Sequence, residues 1–304
     1  MKASEVPADN WGPIIPMKAE TIIRGLTICS LAGLLLGVGL RLTVTQVVAS
    51  VRKCRLALII VLNFMVVPAL VVTATRLFGF GTDLALGMIL LSAAPFAPVV
   101  PVFARMGRAD LALAAGLSTL FPLLCVFFTP LVVGLALWGM PQSAAIRFNT
   151  LEILLTLLAT IVLPLGIGMA LKHFSPHLSR RGLRPVEMVA EFTGALSLAY
   201  VTMTEWRLIL TTGWVPLLVM AILCEISILL GQSLGGPDPN VRRVIGLGTG
   251  NRNIALALLV AIESFGDTPV LAAIVANGLL LIFIGLLHVG YWRFGPGQHQ
   301  RASE

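Results

Sequence analysis

Nine apolar stretches, each long enough to cross a hydrocarbon core that takes about 20 residues of helix, dominate this 304-residue chain and leave room for little else. They fall at about 21–41, 55–77, 84–104, 111–139, 150–172, 186–204, 210–234, 242–262 and 269–292. Each is continuously apolar, without the period-two alternation of barrel strands, so the spans are helices. Charged residues make up 12% of the chain, about half the share of a soluble domain. The fold class is therefore an all-α polytopic membrane protein with about nine transmembrane helices. Its formal charge of +7 does not imply a nucleic-acid partner, because the 21 Lys and Arg sit mostly in short loops. Cys29, Cys54, Cys125 and Cys224 lie in or beside apolar spans without Cys-x-x-Cys spacing, which disfavours a disulfide framework or a metal site.

Residues 1–20 carry Lys2, Glu5, Asp9, Lys18 and Glu20 around an apolar run too short for a signal-peptide core, and read as an uncleaved N-terminal tail. Residues 293–304 form the C-terminal tail. An odd number of spans puts the termini on opposite faces. Loops after the odd-numbered spans, with the C-terminal tail, hold fourteen Lys and Arg, and the opposite face holds six. The bias predicts an N-terminus outside and a C-terminus in the cytoplasm, in the plasma (inner) membrane of a prokaryote-like cell. The loop 172–185, with Lys172, Arg180, Arg181 and Arg184, is expected to be cytoplasmic.

Two spans are interrupted. Span three carries Pro95, Pro98 and Pro101, and each proline removes a backbone donor and clashes with the preceding turn. Span eight carries Gly246, Gly248 and Gly250 followed by Asn251, Arg252 and Asn253, a polar trio that is costly facing lipid. Broken helices in corresponding spans are the mark of secondary transporters built from inverted repeats, with the site where the breaks meet. The repeats are drawn at 21–139 (four helices) and 150–292 (five helices). The glycine run is not a dinucleotide fingerprint, because no strand precedes it and position 251 is Asn.

The order of further features resembles the bile acid:sodium symporter (BASS) family from Gly33 to Pro130 and from Gly246 to Ala261. They are the linker Leu42 to Arg55 with its basic end, Leu-Asn-Phe-x-x-x-Pro at Leu62 to Pro68, the Leu-Phe-Gly turn at Leu77 to Gly79, and Asp83 to Gly87. Ala94-Pro95, the Ala-Arg-x-Gly-Arg-x-Asp loop at Ala104 to Asp110, and Leu117 to Leu120 running on to Thr129-Pro130 follow in order. The resemblance implies a core domain and a panel domain, two crossing broken helices, and alternating access for an organic anion, commonly driven by sodium. It also implies where sodium ligands belong, and there the chain departs from the pattern. The matching positions hold Val100, Pro101, Gly246 and Gly250, and only Asn63 and Ser118 keep a suitable oxygen, whereas a hard cation needs several.

The remaining polar residues are weighed one by one. Arg252 lies nine residues beyond Arg243, which at the helical rise puts it roughly 13–14 Å deep. Two readings stay open for it: an anchor for a substrate carboxylate, or a buried pair with Glu191 or Glu225. Those two acids are the ones well inside spans, and either can instead carry a coupled proton; Glu187 is expected near Arg184 at the membrane edge. Asn251 and Asn253 either line the site or satisfy backbone freed by the unwound turn, and Asn63 is either a ligand or helix-to-helix glue. Ser118, Thr119 and Asn277 suit close helix packing, His288 is expected at an interface, and Phe96 and Phe103 either cover a substrate or face lipid.

The function expected is secondary transport of a small or amphipathic organic anion, with no cofactor beyond a coupling ion, sodium or proton. The substrate-binding candidates are Pro95, Ala97, Pro98, Val100, Thr249, Gly250, Asn251, Arg252 and Asn253, with Asn63, Ser118, Glu191 and Glu225 in coupling or supporting roles. An intramembrane enzyme would need a nucleophile with a base, a metal cluster or paired carboxylates at depth, and the spans show none of these. A ligand sensor would normally carry an attached signalling domain. Substrate identity and oligomeric state are not legible in the sequence.

Overall fold

Proline decides where these helices depart from regular geometry. The protein, described by a computed structural model over residues 17–138, 149–265 and 269–294, is built from helices, with no strand among the described residues. Helix α1 spans Met17–Arg41, and a short helix α2, Val44–Val51, follows with Thr43 as a reciprocal capping box with Gln46. Helices α3 (Leu56–Val61) and α4 (Val67–Leu77) form one span joined by a π-helical turn, Leu62–Val66. Pro68 would meet the carbonyl of Phe64 in a regular helix, and the wider turn removes that conflict.

In span three the prolines stop the helix outright. Helix α5 ends at Ser92 and α6 runs Val100–Met106, with Pro101 in its first turn, where no donor is required. Helix α7 is Leu111–Leu137. Helices α8 (Thr150–Leu157) and α9 (Leu163–Phe174) repeat the first device, a π turn at Leu158–Val162 ahead of Pro164.

Three expectations change in the second half. The basic segment 172–185, expected as a loop, is helical apart from Ser175, and α10 runs Pro176–Thr204. Charge ends an apolar window without ending a helix, and Ser179 ties this extension to α1 by donating to the Leu40 carbonyl (2.8 Å). Glu187 pairs with Arg41 of α1 (Nη2 to Oε2, 2.6 Å) rather than with Arg184. Span seven is divided into α11 (Trp206–Thr211) and α12 (Trp214–Leu234), with Gly213 between them at φ +81°, a conformation costly for any residue with a Cβ. Span eight is also broken: α13 is Pro239–Gly250 and α14 is Ile254–Phe265, before the final α15, Val270–Phe294.

Among the described residues, six continuous helices are long and apolar enough to cross a membrane, and they coincide with spans one, two, four, five, seven and nine. The other three expected spans fall on α10 and on the two interrupted helices. Positions 1–16, 139–148 and 295–304, which include Arg147 and most of both tails, lie outside the described residues. Helix α1 packs closely on α9 and α10, α12 on α13, and α15 on α5. An ion pair from Arg24 to Glu263 (2.7 Å) joins α1 to α14.

Candidate functional site

The two breaks meet. Pro95 and Arg252 form an isolated antiparallel bridge. The Phe96 amide donates to Gly248 O (3.1 Å), the Ala97 amide to Asn251 O (3.2 Å), and the Asn253 amide to Ala94 O (2.7 Å). Unwound backbone has no water to turn to at this depth, so each break supplies the partners that the other lacks. Phe96 takes a left-handed backbone (φ 57°) and lays its ring over Gly248 and against Phe121, with ring centroids 4.1 Å apart. A Cβ at position 248 would fall on that ring. Phe96 is thus wholly inside the protein rather than facing lipid.

The supporting residues hold this crossing from behind. Asn63 Nδ2 donates to Thr249 Oγ1 (3.2 Å) and to Ile59 O (2.9 Å), and Ser118 Oγ donates to Ala97 O (3.5 Å). Thr129 Oγ1, not singled out in the sequence, donates to Ala93 O (2.7 Å). Val100 and Thr249 are fully buried, and Gly250 packs on Ile228 and Cys224 of α12.

In front of the crossing, toward α1 and α10, lies a largely apolar cavity of about 510 Å³. Ala97, Pro98, Asn251, Arg252 and Asn253 line it from the crossing, and Glu191 from α10. Pro95, Val100, Thr249, Gly250, Asn63, Ser118 and Glu225 do not. Phe103, buried midway along α6, also reaches this cavity. Sequence reasoning missed the opposite wall, where Thr27 Oγ1 and Ser197 Oγ share a hydrogen bond (2.9 Å) beside Ser30 and Gly194. The signal was available as small residues at helical spacing, Thr27, Ser30, Gly33 and Gly37 on α1 and Ala190, Gly194 and Ser197 on α10.

Arg252 is 5% exposed. Its Nη1 donates to Ser92 O (3.0 Å), the last carbonyl of α5, and its Nη2 has no partner. Of the two readings left open for it, the pair with Glu191 or Glu225 is not formed. Glu191 is exposed at the cavity, and Glu225 faces His288 of α15 (3.3 Å to Nε2), leaving its side chain 45% exposed. The guanidinium instead meets the negative end of the α5 dipole. Asn251 Oδ1 and Asn253 Nδ2 are buried without partners, although Asn253 Oδ1 caps α14 by accepting from the Leu256 amide (3.1 Å).

A profile of the Sodium Bile acid symporter family matches residues 28–213, more than half of the 304-residue chain. Three curated relatives align along nearly the whole chain. The probable sodium/metabolite cotransporter BASS3, chloroplastic, of Arabidopsis thaliana is 23% identical over 288 residues, covering 92% of this chain and 65% of that protein. BASS1, chloroplastic, of the same organism is 22% identical (93% of this chain, 70% of that protein). BASS3, chloroplastic, of Oryza sativa subsp. japonica is 20% identical (88% and 63%). The chain therefore spans about two thirds of the length of the relatives it matches.

Proposed function

Because the chain belongs to the sodium bile acid symporter family, we propose that it is a secondary transporter carrying a small or amphipathic organic anion by alternating access. Membership of a symporter family sets it among transporters rather than enzymes. The observation that carries the reading is the cavity of about 510 Å³ between α1, α10 and the unwound backbone of both breaks. Its walls are apolar where a substrate body would pack, and its polar groups come from the crossing on one side and from α1 and α10 on the other, which suits an anion with a hydrophobic body. In this reading nine helices form inverted repeats of four and five. The crossing belongs to a core, and α1 and α10 belong to a panel that rocks against it. Arg252 supplies positive potential for a carboxylate, the N-terminus of α14 adds to it, and the unpartnered Nδ2 of Asn253 donates to the group, while Asn251, its own Nδ2 held by Leu247 O, shapes the wall beside it. Ala97 and Pro98 form the wall, while Pro95, Val100, Thr249, Gly250, Asn63 and Ser118 keep the crossing in shape.

The same reading makes sodium dispensable. Val100, Pro101 and Gly246 bring no side-chain oxygen, and the Arg252 guanidinium places a fixed cation at the end of α5. A proton gradient or exchange then drives uptake, with Glu191 as the carboxyl that lines the cavity. A second reading, sodium symport through backbone oxygens, is favoured by the names of the relatives, which are called sodium/metabolite cotransporters. Orientation follows the basic residues: N-terminus outside and C-terminus cytoplasmic, in a plasma membrane. Uptake by the purified protein in liposomes, tested with a panel of organic acids under imposed sodium or proton gradients, decides between the two. Steep sodium stimulation with a Hill coefficient near two would refute the sodium-independent reading, and no uptake of any acid under either gradient would refute transport of organic anions.

A further inference from the structure

Behind the crossing, on the side away from α1 and α10, a second and much smaller cavity of about 30 Å³ lies between α4, α5, α12 and α15. Ser92, Cys224, Ser227, Arg252 and Asn277 line it, and the rest of its wall is almost entirely apolar. Two buried polar groups at this cavity lack partners, Arg252 Nη2 and the Asn277 side-chain oxygen, on residues 5% and 8% exposed. The hydroxyls of Ser92 and Ser227 already donate to carbonyls of their own helices, Ile89 O and Leu223 O, both at 2.7 Å.

Charge decides what the cavity holds. Arginine stays protonated in proteins, and a buried charge without a partner is among the costliest features a fold can carry. Among the described residues no carboxylate forms an ion pair with Arg252. The α5 terminus contributes about half an elementary charge, so much of the guanidinium charge remains. A water would satisfy the geometry and leave the charge unbalanced. A metal cation would be repelled, and the body of an organic acid has no room. We propose that this cavity is a binding site for a small monovalent inorganic anion of chloride size. Arg252 Nη2 holds it, and the Asn277 amide, turned so that its nitrogen faces the cavity, is the second donor. The site shares Arg252 with the proposed transport site but does not depend on what is transported.

The test uses the purified full chain in lipid nanodiscs, exchanged into gluconate. Unfolding temperature is followed while chloride or bromide replaces gluconate at constant ionic strength. A saturable rise is expected for both halides, with an anomalous bromide peak beside Arg252 in crystals. Asn277→Leu fills the small cavity at a position that does not itself line the large one, so it should raise the half-saturating halide concentration at least tenfold. Ser227→Val, which removes a polar wall and narrows the space, should act in the same direction if the first variant does not fold. Equal unfolding temperatures in chloride and gluconate, meaning a water only, or a halide response unchanged in whichever variant folds, overturns the proposal. Neither readout involves transport, so failed uptake with intact halide binding would count against the function alone.

Discussion

At position 248 a missing methyl group keeps the crossing closed. The Phe96 ring occupies the space a Cβ would need, and the left-handed backbone of Phe96 (φ 57°) is held by its bond to Gly248 O and by stacking on Phe121. Gly248→Ala should therefore destabilise the protein by about 1–3 kcal/mol, the range for overpacking, seen as a lower unfolding temperature. At Arg252, whose Nη1 is held by Ser92 O and whose Nη2 is assigned to the small cavity, loss of the positive potential in Arg252→Ala should weaken organic-anion binding by about tenfold. Arg252→Lys, which keeps charge and loses the planar fork, should fall between; unchanged affinity in a folded Arg252→Ala protein would remove the residue from the site. Asp110 offers a pH signature outside the spans. Burial raises its pKa, but Lys53 (2.7 Å) and the Leu113 amide (2.9 Å) outweigh that and hold the carboxyl below its ordinary value. A group depressed on folding stabilises above its unfolded pKa, about 4, and loses that contribution as pH falls through the folded value. Asp110→Asn keeps the cap and removes the charge, so its stability should fall less steeply than wild type below about pH 4.

At the scale of elements, hydropathy located the six long apolar helices among the described residues and misplaced one boundary of consequence. Helix α10 begins about ten residues before its apolar part, because Arg180, Arg181 and Arg184 are compatible with a helix that leaves the membrane. Ser179 lies on its buried face and is a poor reporter, whereas His177 is exposed. In a background without native cysteines, an impermeant thiol reagent applied to intact cells should label Trp138→Cys and spare His177→Cys. Trp138 is 84% exposed at the other end of the molecule in the proposed orientation; the reverse pattern would invert the topology. The breaks in spans three and eight were legible because proline and glycine act on the backbone within a turn of where they stand.

For the molecule as a whole, the proposed transport cycle moves α1 against α14, and the Arg24–Glu263 pair (2.7 Å) joins them. Cysteines at these two positions, bridged by a short bifunctional thiol reagent, should stop uptake and leave substrate binding measurable. Continued transport by the bridged protein would show that this contact does not open during the cycle.

Some of this protein was decided within single stretches of chain and some only by assembly. Apolar runs long enough to cross a membrane, prolines without donors and a polar trio beside three glycines act locally, so the all-helical class, the two breaks and Arg252 as the charge at depth could be read directly. That Asn63 reaches Thr249 and Ser118 the Ala97 carbonyl, that Glu225 turns to His288, and that Thr27 bonds to Ser197 beside the cavity could not. Helices that are apolar all round carry little periodic indication of which face meets which neighbour, and partners separated by 170 residues, as Thr27 and Ser197 are, come together only when α1 packs on α10. The guanidinium of Arg252 was legible as a buried charge needing a partner. Which partner it found, the carbonyl end of α5 rather than a carboxylate, was a matter of distance, and distance exists only in the folded chain.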